Sequence, residues 1–182
     1  MSSSKKVEEK EPATDPKNLY NTYVALCKYI GIEPYEKVRD SLCQDDEENA
    51  NYGTQVLIDG DDLEAKDKKD KIRFGPGSCR ALATSILGKA TSVIPENKLT
   101  KAKQESMSVI YTILQDIRVW RCPIKDGGAA AIAELLRLGG ADLKISYLEL
   151  LDASIGYDGC MALGHSLSYG VRTIIDFNVF TN

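Results

Sequence analysis

ISYLELLDASIGYDGCMALGHSL, residues 145–167, decides how the rest of the chain is read. Ile145, Leu148 and Leu150 have the spacing of a short strand and its lead-in, and Ile155 follows a turn. Met161, Leu163 and Leu167, with small Ala162 and Gly164 among them, fit a short helix. One strand, one turn and one helix of this size cannot bury a core alone, so the unit needs copies of itself on either side.

The copies are present. The frame apolar-x-x-apolar-x-apolar-x-x-(Asn, Cys or small)-x-apolar fits Ile145, Leu148, Leu150, Ala153 and Ile155. It fits Leu114, Ile117, Val119, Cys122 and Ile124, and again Ile174, Phe177, Val179 and Asn182. The polar or small position recurs at 122, 153 and 182. The helix openings also agree, Gly128-Ala-Ala-Ala-Ile132 with Gly159-Cys-Met-Ala-Leu163.

LQDIRVWRCPI and ISYLELLDASI resemble the leucine-rich repeat of the ribonuclease-inhibitor-like type, over roughly residues 54–182. Cys122 and Asn182 stand where that family has Asn or Cys, a side chain that caps the backbone leaving the strand. Ala153 departs from the pattern and cannot do so. The resemblance implies an α/β fold: a leucine-rich repeat solenoid, a short horseshoe with parallel strands inside and helices outside. It implies no particular activity, because such repeats serve many partners.

Upstream, residues 1–16 have little to bury and read as a disordered tail. Residues 17–52 read as a helical N-terminal cap. Leu19, Tyr23, Leu26, Cys27 and Ile30 form a helical stripe that Gly31 ends, and Pro34 opens a second helix from Tyr35 to about Cys43, burying Val38 and Leu42. The acidic stretch 44–51 lacks the glycine and glutamate of a calcium loop. Repeats then run over 53–182, with charged or polar inserts near 64–73 and 91–112. Val56, Ile58, Asp61 and Leu63 form a degenerate first strand frame. Helices are expected over Arg80–Leu87 and Ala129–Leu138.

The 182 residues carry a formal charge of −4, with 43% hydrophobic and 27% charged residues. That charge gives no general attraction to nucleic acid or an anionic membrane. No stretch approaches the ~20 apolar residues of a membrane span, and residues 1–17 have no apolar signal core. The five cysteines form no C-x-x-C pair, which points to a reducing, cytoplasmic setting. Cys79, Cys122 and Cys160 fall at inward repeat positions and are expected to be buried. With His165 the only histidine, neither a metal site nor a cofactor is expected. A phosphate loop at Leu87-Gly-Lys-Ala fails because Ala83 and Ala90 stand where Gly and Ser or Thr are needed. No catalytic site is expected.

Side chains alternate along a strand, so the neighbours of the frame residues point outward. Three columns result: Trp120, Leu151 and Phe180; Arg118, Glu149 and Asn178; Asp116, Tyr147 and Asp176. An exposed aromatic ridge rimmed by charge has the make-up of a protein-binding hot spot. The expected role is that of a non-catalytic scaffold. Trp120, Leu151 and Phe180 anchor a partner protein, while Arg118, Glu149, Tyr147, Arg121 and Asp152 surround or select it. The resemblance also leaves open regulation of a small GTPase, drawing on Arg118 and Arg121, and a structural role in a cytoskeletal or ciliary assembly.

Overall fold

The computed structural model describes residues 14–43, 52–60 and 73–169, and the backbone of a strand at 176–180. Asp61, Leu63, the first insert up to residue 72 and the stretch 44–51 lie outside the described residues, as do residues 1–13 and Asn182.

Helix α1 (Pro16–Ile30) has a side-chain cap at its start: the Asp15 carboxylate accepts the Lys17 amide at 2.9 Å, and Pro16 opens the first turn. Gly31, at φ 78°, ends it, with the Gly31 and Ile32 amides donating to the carbonyls of Lys28 and Cys27. Helix α1 thus opens at Pro16, one residue before the stretch read from sequence as the helical cap. Leu19, Tyr23, Leu26 and Cys27 are buried, but Ile30, at the last turn, is 42% exposed and leaves the expected stripe. The Tyr23 hydroxyl accepts the Tyr35 amide at 3.0 Å, which sets the entry to α2 (Lys37–Cys43).

Strand β1 (Gln55–Asp59) leads to α3 (Pro76–Ile86), two short 3-10 turns and α4 (Lys101–Met107). This second insert folds back on the body. Tyr111 donates its hydroxyl to the Gly53 carbonyl at 2.7 Å, and α4 packs on α1. Strand β2 (Asp116–Trp120), α5 (Lys125–Gly139), β3 (Tyr147–Leu151), α6 (Tyr157–Tyr169) and β4 (Asp176–Phe180) follow in turn. Helices α3 and α5 both begin several residues before the spans expected from sequence, because their first turns carry Pro, Gly and charged residues rather than apolar ones.

The fold is mixed α/β. The four strands form one parallel sheet in the order β1-β2-β3-β4. The helices neighbour one another in the same sense, α1 beside α3, α3 beside α5, α5 beside α6. Ile117 pairs with Leu148 and Val119 with Leu150, side by side in one hydrophobic core. All ten apolar or small residues of the frames at 114–124 and 145–155 are buried. Packing between helices is close. A Cβ on Gly159 would stand 2.9 Å from the Ala129 methyl and 2.7 Å from Ile155, so only glycine fits the α5–α6 contact.

Cys160, expected to be buried, lies outside, and so does its neighbour Met161, which is 43% exposed. On α6, Gly159 and Leu163 turn toward α5 and the core, and the helical rotation carries Cys160 and Met161 away from both. The corresponding alanine on α5, Ala129, is covered by α6. No described helix lies against α6 on the side away from α5. Cys79 and Cys122 are buried as expected.

Candidate strand-face site

Alternation along the strands sends Val56, Ile58, Ile117, Val119, Leu148 and Leu150 inward and leaves the intervening side chains on the opposite face. None of those intervening side chains on β1, β2 and β3 is buried, and Leu57 is 36% exposed.

Strand pairing brings the expected columns together. Trp120 pairs with Leu151 and Leu151 with Phe180; Arg118 pairs with Glu149 and Glu149 with Asn178; Asp116 pairs with Tyr147 and Tyr147 with Asp176. Strand β1 extends each column by one residue, Asp59, Leu57 and Gln55 respectively. These three are not among the residues expected on the face. The same alternation that identified Val56 and Ile58 as inward would have found them.

The polar side chains on this face hold one another. The Arg118 guanidinium donates to Asp116 at 3.0 Å and lies 4.5 Å from the centre of the Tyr147 ring, a cation–π contact reaching across to β3. Its Nε is enclosed with no acceptor. The Trp120 indole N–H donates to Glu149 at 2.9 Å, a diagonal contact that pins the ring against β3. Arg121, just beyond β2 and at φ 52°, makes a two-point ion pair with Asp59, with Nε–Oδ1 at 3.0 Å. Asp152 occupies the equivalent place after β3, exposed and at φ 49°. Both rim residues thus carry the backbone in the left-handed region as the chain leaves its strand.

One edge of the sheet is closed by side chains of α2. Residues 55, 57 and 59 turn their backbone groups away from β2. The Ser41 hydroxyl accepts the Leu57 amide at 2.7 Å and donates to the Gln55 carbonyl at 3.3 Å, while Lys37 donates to the Asp59 carbonyl at 2.8 Å.

On the opposite side of the molecule, a groove of about 180 Å³ runs past Leu26, Ile30, Leu87 and Val93. His165 is exposed on α6. Among the described residues no group of three or more His, Cys, Asp or Glu side chains converges in a way that could hold a metal ion. No described helix is long and apolar enough to cross a membrane.

Comparison with protein-family models finds no matching family, and no curated protein matches the chain.

Proposed function

We infer that the chain is a leucine-rich repeat solenoid that binds another protein through its open strand face, without catalysis, as a scaffold or adaptor in the cytoplasm. The observation that carries this reading is the row Asp59, Trp120, Leu151 on strands β1–β3, whose side chains on the other face, Val56, Ile58, Ile117, Val119, Leu148 and Leu150, are all buried. A half-buried tryptophan on a rigid sheet offers contact area at little entropic cost, and the surrounding ion pairs hold the rim in place. The buried frame residues, the in-order parallel strands and the matching helix order support the solenoid. Arg118 and Arg121, the residues a GTPase regulator would need at the rim, are both committed to carboxylates of the chain itself. That favours a docking surface over a donated arginine.

The test is capture of partners on the immobilised full chain. Trp120→Asp and Leu151→Asp are compared with Tyr157→Asp, a change at a residue 77% exposed on α6. The reading requires that the two strand-face variants lose the captured protein while their circular-dichroism melts stay close to wild type, and that Tyr157→Asp retains it. Loss of capture by Tyr157→Asp alone would sink it.

A further inference from the structure

Arg118 and Trp120 lie two residues apart on β2, in surroundings that match except for one missing partner. Around Arg118 stand an aromatic ring, Tyr147, a carboxylate, Asp116, and the guanidinium that joins them. One step along the strand stand an aromatic ring, Trp120, and a carboxylate, Glu149, fixed together by the indole N–H. Among the described residues no cation lies over that indole. The nearby arginines are occupied elsewhere, Arg118 on Asp116 and Arg121 on Asp59.

We propose that the Trp120–Glu149 pair is a subsite for an arginine side chain of the partner protein. It rests on the strand-face reading above and names the chemistry of what docks there. The indole is the strongest of the aromatic rings for a cation, and a guanidinium can stack on it while donating in its own plane to a carboxylate. The indole N–H occupies one lone pair of Glu149 Oε2, and the carboxylate has further acceptor positions for a guanidinium. Leu151, in register with Trp120 and half-buried, lies where the methylene stem of the arginine would pack. The charge of the face agrees. On β1–β3 and their exits, the carboxylates of Asp59, Asp116, Glu149 and Asp152 outnumber the guanidiniums of Arg118 and Arg121. An acidic excess of this kind attracts a basic segment and repels an acidic one.

Trp120 is the only tryptophan, so its indole resonance and its fluorescence both report on this one site. The probe is an acetylated, amidated peptide Gly-Leu-Arg-Leu-Gly, titrated into the isotope-labelled full chain. The control peptide carries citrulline in place of arginine, which keeps the shape and removes the charge. The arginine peptide is expected to shift the Trp120 indole resonance and to bind about tenfold more tightly than the citrulline peptide. Glu149→Gln is expected to erase that difference while leaving the rest of the amide spectrum in place. Equal binding of the two peptides, no binding of either at millimolar concentration, or an undiminished preference in Glu149→Gln overturns the subsite. If the peptides fail while Trp120→Asp still loses its captured partner, the strand-face reading stands and only the arginine subsite falls. If Trp120→Asp captures as wild type does, the strand-face reading itself has failed.

Discussion

Asp126 on α5 caps the start of the next helix: its Oδ1 accepts the Gly156 amide at 2.6 Å and the Gly159 amide at 3.1 Å. The first amides of α6 would otherwise have no intrahelical acceptor, and a carboxylate there also faces the positive end of the helix dipole. The cap comes from a neighbouring helix, so it joins α5 and α6 as well as starting α6. Asp126→Ala is expected to destabilise the fold by about 0.5–2 kcal/mol, and Asp126→Asn by less, since asparagine still accepts both amides. Urea unfolding measures the difference. Hydrogen exchange at Gly156 and Gly159 should accelerate in the alanine variant ahead of exchange in β2 and β3.

Ser41 takes the part of a neighbouring strand for β1, accepting from Leu57 and donating to Gln55. Ser41→Ala removes both bonds at a site water can reach, so the expected cost is about 1 kcal/mol rather than that of a fully buried loss. Thermal unfolding gives the cost. A variant as stable as wild type would mean that water replaces the hydroxyl without penalty.

The cysteines should separate by exposure. All five are free thiols; Cys160 is exposed, Cys43 partly so, and Cys27, Cys79 and Cys122 are buried. Burial pushes the Cys27 thiol up to about 11 and the Cys79 and Cys122 thiols up to about 12, which leaves little reactive thiolate at neutral pH. Alkylation of the native protein followed by mass spectrometry should show rapid modification of Cys160, slower modification of Cys43, and the other three only after unfolding.

The same raised thiols set a response to alkali. In the unfolded chain they ionise near 9, and in the folded chain they hold their protons to about 11 or 12. Between those limits the folded state binds more protons than the unfolded state. Stability is therefore fully present below pH 9 and falls as pH rises, by about 1.4 kcal/mol per pH unit for each such thiol. Burial also raises Tyr23 and Tyr111, which adds to the slope above pH 10. Urea midpoints at pH 8 and pH 10.5 measure the fall, and Cys79→Ala should make it shallower by one thiol's share.

Much of the strand face was legible from residue order. A frame that repeats its apolar positions at the same spacing must pair Ile117 with Leu148 and Val119 with Leu150 if those side chains are to share one interior. That pairing then sets Trp120 against Leu151 and Arg118 against Glu149. Asp59 and Leu57 were within reach of the same reasoning. The partners on the face were not. Register alone would pair Arg118 with the carboxylate opposite it, Glu149. In the fold Arg118 bonds to Asp116 on its own strand and stacks on Tyr147, while Glu149 takes the indole of Trp120. Rotamers and the diagonal reach of long side chains decide this, and neither is written in spacing.

Residue order by itself determined which side chains of β2 and β3 turn inward and which rows the outward ones form, because strand alternation is local and burial leaves a single register open. The tertiary structure alone decided what each side chain meets at long range. Ser41 closes the edge of a strand fourteen or sixteen residues away, Asp126 caps a helix thirty residues on, and Arg121 pairs with Asp59 across sixty-two. It also decided that Cys160 and Met161 face outward, since a residue on a helix is buried only where a neighbouring element covers that side of the helix.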